Sequence, residues 1–227
     1  AYGLALSEHL LAQLLAMMKK LYPYYDNQKK GIWHDEGSVT SIEDATILIL
    51  GAGDIGRAFA RRVKALGAYV IGVRRREGTK PVGIDEMGTM EELDSLLARA
   101  DVVVSVLPGT TATKSIFDKK RFTAMKKGSY FLNIGRGNAV VTEDLIEVMK
   151  EGHLAGAALD VTDPEPLPAD HSLWHTPNIY ITPHISGDDH LSATQDKIVQ
   201  IAARNLAAFM QGVPLENLVN RTTGYKD

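Results

Sequence analysis

The sequence contains no cysteine among its 227 residues. Disulfide bonds and thiol chemistry are therefore excluded, and the usual cysteine ligands of a structural zinc site are missing. We predict no metal site of any kind from the remaining residues.

A long apolar run and a strong net charge are also missing. No stretch is long and apolar enough to cross a bilayer, and the first residues lack the basic segment and cleavage site of a secretory signal. The formal net charge is −3, from 25 basic and 28 acidic residues, which gives no basic surface for nucleic acid. We expect a cytoplasmic protein that binds neither membrane nor nucleic acid.

A glycine-rich turn follows the four apolar residues 47–50 and leads into a helix-forming stretch. Gly51 permits a sharp turn, Gly53 leaves the backbone bare where a pyrophosphate approaches, and Gly56 allows the helix to pack closely on the strand. A second apolar stretch follows at residues 68–73, which completes a strand-helix-strand unit. A glycine turn in another kind of α/β protein is the alternative. The predicted phosphate-binding residues are Gly51, Gly53, Asp54, Ile55 and Gly56.

Three arginines, Arg74, Arg75 and Arg76, follow the second strand of this unit. Proteins that use NAD place an acidic residue there to bind the ribose 2′-hydroxyl, whereas guanidinium groups bind a 2′-phosphate. The arginines therefore predict NADP as the cofactor, with NAD as the alternative. A solvated loop would also account for a run of three charges.

The first part of the chain predicts a helix over residues 4–22, followed by an arm over residues 23–42. Leu6, Leu10 and Leu14 recur at helical spacing, so this helix needs an apolar partner. The partner is either the sheet of the same domain or another subunit. Exposed aromatic residues in the arm suggest packing on a neighbouring subunit, although a wrap over the parent domain is equally allowed.

Strand and helix patterns alternate through the rest of the chain. Further strands are predicted at 101–107, 130–134, 157–161 and 179–182, and further helices at 90–99, 118–125, 143–150 and 191–211, with Thr142 as the cap of the helix at 143–150. This alternation predicts a Rossmann-type, doubly wound parallel sheet with helices on both faces. We assign residues 1–213 to one dinucleotide-binding domain and see no element in residues 214–227.

Chemically useful side chains stand just after the predicted strands. They include a fixed cation, Arg136, the carboxylates of Asp160 and Glu165, and the imidazole of His184. Hydride transfer to a carbonyl requires a proton donor, an anion clamp and a carboxylate to hold the imidazole. Taken alone, Arg136 fits a loop charge, Asp160 a helix cap and Glu165 an ordinary turn residue. The residues expected to line the cofactor from these strand ends are Leu107, Pro108, Ile134, Arg136, Asp160 and His184.

Together with the glycine turn, four motifs resemble the D-isomer-specific 2-hydroxyacid dehydrogenase family. They are Asn-Ile-Gly-Arg-Gly at 133–137, Leu-Asp-Val at 159–161, Glu-Pro at 165–166 and Thr-Pro-His-Ile-Ser-Gly at 182–187. The resemblance implies that Arg136 binds the substrate carboxylate and polarises its carbonyl, and that His184 is the general acid/base. It also implies that Glu165 pairs with His184 and that Asp160 holds the nicotinamide carboxamide.

The resemblance further implies the reaction and the partners. The family transfers a hydride between NAD(P)H and a small 2-keto or 2-hydroxy acid, and Arg74 points towards its glyoxylate and hydroxypyruvate reductases. In the family a substrate domain precedes the first helix, so we interpret residues 214–227 as a stub that returns to such a domain, and we expect the 227 residues alone to turn over slowly. A homodimer is also expected, through the helix at residues 4–22 and the arm at residues 23–42. The alternative is a dinucleotide-sensing regulatory or corepressor-like protein, which would have no need of an acid–base pair.

Overall fold

A seven-stranded parallel sheet forms the centre of the protein. The computed structural model describes residues 1–74, 79–187, 190–220 and 225–226. The strands are β1 (Thr46–Leu50), β2 (Tyr69–Val73), β3 (Glu86–Gly88), β4 (Val102–Ser105), β5 (Tyr130–Asn133), β6 (Gly156–Leu159) and β7 (Ile179–Ile181). They lie in the order β3-β2-β1-β4-β5-β6-β7, and all neighbouring pairs are parallel. This order confirms the predicted Rossmann-type fold.

Helices cover both faces of the sheet, as predicted. They are α1 (Gly3–Met18), α2 (Leu21–Lys29), α3 (Asp54–Ala65), α4 (Leu93–Leu97), α5 (Lys119–Ala124), α6 (Thr142–Lys150) and α7 (Ser192–Met210). Side chains from α1 and α3 bury one face, whereas α4, α5 and α6 bury the other. The strands are apolar on both sides because both faces are covered, which is why residues 47–50 are continuously apolar.

The predicted end of the N-terminal helix, at residue 22, is wrong, because two helices occupy residues 3–29. α1 ends at Met18, and Lys20 adopts a left-handed conformation (φ 56°) before α2 begins at Leu21. α2 therefore fills the start of the predicted arm. Pro23 lies in its first turn, where a missing N–H costs no hydrogen bond.

The apolar partner of α1 is its own domain. Leu6, Leu10 and Leu14 are buried, and they belong to the same apolar cluster as Phe59 and Val63 of α3. Burying side chains of this size contributes about 1.5–3 kcal/mol each. The packing of α1 on the sheet also brings its first turn to the edge where the strands end.

Three smaller predictions are corrected, and one edge strand was missed. Thr142 is not a cap: it is the first residue of α6, and its hydroxyl donates to the Asp163 carbonyl oxygen at 3.2 Å. The helix predicted at 90–99 is limited to the five residues of α4, and the edge strand β3 was not predicted. Residues 214–227 contain a two-residue antiparallel pair, β8 (Val219–Asn220) and β9 (Tyr225–Lys226), which is too short to leave a sequence pattern.

Within the described ranges, no helix combines the length and the hydrophobicity that crossing a bilayer requires. The longest helix, α7, buries Thr194 but leaves Leu206, Phe209 and Met210 61%, 73% and 78% exposed. The end of α7 therefore presents an apolar surface that the described residues do not cover.

Candidate active site

The glycine turn lies at the carboxyl end of β1, where it connects to α3. Gly51 has a φ of 106°, which a residue with a side chain rarely adopts. A Cβ added to Gly56 would lie 2.2 Å from the Gly51 carbonyl oxygen, so α3 can approach the turn only with glycine there. A Cβ on Gly53 would meet no atom within 4 Å, which leaves open space over that part of the backbone.

The first backbone N–H groups of α3 have no partner inside the helix, and they lie beside the bare surface of Gly53. This arrangement suits a dinucleotide pyrophosphate. Asp54, the first residue of α3, accepts a hydrogen bond from the Gly3 N–H at 3.2 Å, which joins the start of α1 to the turn. The residues present therefore fit the predicted cofactor.

Two adjoining clefts run along this edge of the sheet, with volumes of about 700 Å³ and about 650 Å³. We call the first the inner cleft, because it contains Arg136 and His184, and the second the outer cleft, because it contains the glycine turn and Arg74. Both are lined by Tyr2, Ile55, Val106, Leu107 and Pro108, so the two clefts are continuous. Ile134 also lines the inner cleft.

The outer cleft ends at Arg74, which follows β2 directly and is half-buried. Its position matches the prediction that a cation stands where NAD-using proteins place an acidic residue. Arg75 and Arg76 lie outside the described residues.

The loop that carries Arg136 is held from beneath by Asn133, a buried residue whose role the sequence analysis missed. The Asn133 side chain donates to the Arg136 carbonyl oxygen at 3.0 Å and accepts from the Gly135 N–H at 3.1 Å. A Cβ on Gly135 would lie 2.4 Å from the Leu107 carbonyl oxygen, and one on Gly137 would lie 1.8 Å from that of Thr162. This packing leaves the Arg136 side chain exposed at the inner cleft.

His184 and Glu165 are hydrogen-bonded to each other at the other side of the inner cleft. His184 Nδ1 lies 2.5 Å from Glu165 Oε1, and the two side chains are 47% and 41% exposed. The pairing leaves the second ring nitrogen, Nε2, as the nitrogen available to a ligand. The predicted partnership is therefore present, although Glu165 itself does not line either cleft among the described residues.

Asp160 lies beneath the His184 loop and is 2% exposed. Its Oδ1 accepts from Thr182 Oγ1 at 2.6 Å and from the Ile185 N–H at 3.1 Å, while Oδ2 accepts from the Ser186 hydroxyl at 2.5 Å and the Ser186 N–H at 3.1 Å. Burial alone would raise the pKa of the Asp160 carboxyl, but the hydrogen bonds from Ser186, Thr182 and the amides outweigh it and hold the pKa below its ordinary value. The predicted contact of Asp160 with a nicotinamide carboxamide stays a prediction.

His9 of α1 extends this polar cluster. Its Nε2 lies 3.2 Å from Thr182 Oγ1 and 3.9 Å from Asp160 Oδ1. Burial lowers the pKa of His9 below its ordinary value, and the charge of Asp160 offsets this only in part. Burial therefore favours the neutral form of His9.

Residues 11–186 match the family described as D-isomer specific 2-hydroxyacid dehydrogenase, NAD binding domain. The chain belongs to this family. The match confirms the family predicted from the four motifs, which is a family of NAD(P)-dependent oxidoreductases, and it does not favour the regulatory alternative.

Named relatives agree with the family. The chain is 32% identical to glyoxylate/hydroxypyruvate reductase A of Enterobacter sp. (strain 638), over 98% of this chain and 70% of that protein. It is 33% identical to a glyoxylate reductase of Thermofilum pendens (strain DSM 2475 / Hrk 5), over 96% of this chain and 65% of that protein. The chain thus spans about two thirds of the length of these curated relatives.

A solved structure of an NADPH-dependent glyoxylate/hydroxypyruvate reductase from Sinorhizobium meliloti, in complex with NADP and sulfate, superimposes with a TM-score of 0.88. The two sequences are 32% identical, and the match covers 99% of this chain and 70% of that one. This supports the predicted pairing of the fold with NADP, with NAD as the alternative.

We predict that Asp160→Asn lowers the free energy of unfolding by about 1.5–3 kcal/mol at pH 7, because an amide replaces a carboxylate that accepts four hydrogen bonds. The pKa of Asp160 is depressed in the folded protein. Its contribution is therefore complete above about pH 4 and is lost as the pH falls through the folded pKa. Urea unfolding between pH 7 and pH 2.5 should show the difference from the unmodified chain shrinking with acid.

The exposed Asp163 offers a matched control. Asp163→Asn should leave stability within about 0.5 kcal/mol of the unmodified chain throughout this range. Equal stability of Asp160→Asn and the unmodified chain at pH 7 would contradict the prediction.

Proposed function

We propose that this chain is the cofactor-binding and catalytic part of an NADP-dependent reductase of small 2-keto acids. The observation that carries the proposal is the hydrogen bond between Glu165 and His184, because His184 lines, together with Arg136, one cleft that continues into the cleft of the glycine turn. Relatives named glyoxylate and hydroxypyruvate reductases support these two acids as substrates.

Arg136, His184 and Glu165 each have one task in this reaction. The Arg136 guanidinium binds the substrate carboxylate and draws electron density from the carbonyl. When bound, the reduced nicotinamide supplies a hydride to the carbonyl carbon. The imidazolium of His184 donates its Nε2 proton to the carbonyl oxygen, which yields the 2-hydroxy acid. The Glu165 carboxylate accepts from Nδ1 and stabilises the charged ring while the proton is held.

The outer cleft would hold the rest of the cofactor. Gly51, Gly53, Asp54, Ile55 and Gly56 would bind the pyrophosphate through backbone N–H groups. Arg74, with Arg75 beside it in the sequence, would bind the 2′-phosphate. Leu107, Pro108 and Ile134 would contact the apolar faces of the nicotinamide half.

The substrate site would be completed by a second domain. Arg136, Glu165 and His184 are exposed, and carbonyl reduction needs a site from which water is excluded. The apolar residues at the end of α7 support the same proposal, since a substrate domain packed on them would cover that surface. The cytoplasmic location stays a prediction.

A homodimer is proposed through the arm and α2. Trp33 is fully exposed, Ile32 and Tyr25 are 49% and 58% exposed, and a cavity of about 650 Å³ lies between α2 and residues 31–35. Aromatic side chains of this kind are enriched at subunit interfaces. The apolar face of α1 packs on its own sheet, so the interface is assigned to the arm rather than to α1.

We predict that NADPH binds more tightly than NADH and that Arg74→Asp weakens NADPH binding about 10- to 100-fold while sparing NADH. A charge-assisted hydrogen bond to phosphate is worth about 1.5–3 kcal/mol, which corresponds to this change. Fluorescence titration of both cofactors measures it. Arg61→Asp, an equal change of charge on the exposed side of α3, should leave both affinities within about twofold. Equal affinities for NADPH and NADH in the unmodified chain would refute the preference.

We predict that His184→Ala lowers turnover by about 10²–10⁴-fold, because the proton donor is lost. The assay follows NADPH oxidation with glyoxylate or hydroxypyruvate in a form of the protein that includes a substrate domain; the 227 residues alone should bind NADPH and turn over slowly. The NADPH dissociation constant should stay within about twofold. His175→Ala, an exposed histidine outside both clefts, is the control. Near-normal turnover of His184→Ala would show that another group donates the proton.

We predict that the protein sediments as a dimer and that Trp33→Glu shifts it towards monomer, because a buried charge at the centre of an interface is costly. Sedimentation velocity over a range of concentrations measures the change. Val82→Glu alters another exposed apolar residue and should leave the dimer intact. A concentration-independent monomer in the unmodified protein would overturn the proposed interface.

A further inference from the structure

The backbone of His184 is held in an unusual conformation. Its φ is 53°, in the left-handed region that residues with a side chain rarely adopt. Such a conformation persists only where the surrounding contacts impose it. The orientation of the imidazole therefore depends on what fixes the loop at residues 182–186.

One buried residue provides those contacts from both sides of His184. The Asp160 carbonyl oxygen accepts from the His184 N–H at 2.8 Å. The Asp160 carboxylate binds the Thr182 hydroxyl, two positions before His184, and the Ile185 and Ser186 N–H groups directly after it. The Ser186 hydroxyl makes the fourth hydrogen bond to the carboxylate. The loop thus turns around a single buried charge.

The Thr182 hydroxyl has a second partner, His9 on α1. Since the Thr182 proton is directed to Asp160 Oδ1 at 2.6 Å, the contact with His9 Nε2 at 3.2 Å has His9 as the donor. A proton on Nε2 of His9 makes this contact. The hydrogen bonds therefore run in one direction, from α1 through Thr182 to Asp160.

We propose that Thr182 and Ser186, acting through Asp160, are positioning residues that aim the His184 ring at Glu165, and that His9 links this network to α1. The proposal rests on the proposed function of His184 as proton donor. Both hydroxyls donate to the Asp160 carboxylate, and Ser186 also lines the inner cleft. A misplacement of about 1 Å in a catalytic group lowers turnover by up to about 100-fold, so loss of either hydroxyl should act on turnover more than on binding.

The test compares Thr182→Val, which keeps the shape but removes the hydroxyl, with Thr182→Ser, which keeps the hydroxyl. Ser186→Ala tests the second contact if Thr182→Val does not fold. Thr176→Val is the matched control, because Thr176 is also buried and its hydroxyl donates to the Ser172 carbonyl oxygen at 3.0 Å, away from both clefts.

The first measurement is the NMR signal of the His184 ring in the 227-residue chain, which needs no activity. The ring nitrogen shifts and the downfield Nδ1 proton report the hydrogen bond to Glu165. We expect Thr182→Val and Ser186→Ala to shift or abolish that signal, and Thr182→Ser and Thr176→Val to keep it. An unchanged signal in folded Thr182→Val and Ser186→Ala overturns the proposal, whatever the enzyme does.

The second measurement is turnover in the form with a substrate domain. Thr182→Val should lower kcat about 10- to 100-fold with KM for the keto acid and Kd for NADPH within about twofold, and Thr182→Ser should restore most of kcat. If His184→Ala is inactive but Thr182→Val has an unchanged kcat, the positioning role of Thr182 is overturned. Full activity of His184→Ala instead refutes the proposed function, while the NMR result still decides whether the network orients the ring.

Discussion

The parallel pairing of β1 with β2 on one side and β4 on the other is the constraint on which the rest of the structure depends. The connection after β1 leads to β2 on one side, whereas the connection after β4 leads to β5 on the other side. The two connecting loops therefore part and leave a crevice above the ends of β1 and β4. The glycine turn forms the floor of this crevice. The loops after β4, β5 and β6 extend it, and they bring Pro108, Arg136 and Asp160 to the same edge.

The buried charge of Asp160 fixes the loop at residues 182–186, which carries His184. An isolated carboxylate inside a protein is strongly disfavoured, and Asp160 is tolerated because four donors surround it. Satisfying that charge requires the chain after β7 to fold tightly back over β6. His184, at the tip of this turn, is thereby exposed to the inner cleft. The hydrogen bonds that stabilise the buried Asp160 carboxylate therefore also fix the backbone that carries His184.

Much of the fold was predictable from local signals. The glycines at 51, 53 and 56 and the apolar stretches of β1, β2 and β4 identify the dinucleotide unit, because both faces of such strands are buried. The break at Lys20 was not predictable, since neither glycine nor proline marks it. The contacts around Asp160 were equally hidden: Thr182 lies 22 residues from Asp160, and His9 lies 173 residues from Thr182. No spacing rule connects positions so far apart, whereas the motif that contains Thr182, His184 and Ser186 was recognisable as a whole.

The packing around Arg136 has an evolutionary consequence. Gly135 and Gly137 lie where a single methyl group would overlap the backbone of neighbouring loops, and Asn133 is buried beneath them. Substitutions at Gly135 and Gly137 are therefore not tolerated, because a side chain there would displace the loop that carries Arg136. Arg74, by contrast, stands on the rim of the outer cleft at the end of a strand, where side chains can be exchanged without disturbing the sheet. If Arg74 has its proposed role, an exchange at this one position changes the coenzyme preference and leaves the packing around Arg136 untouched.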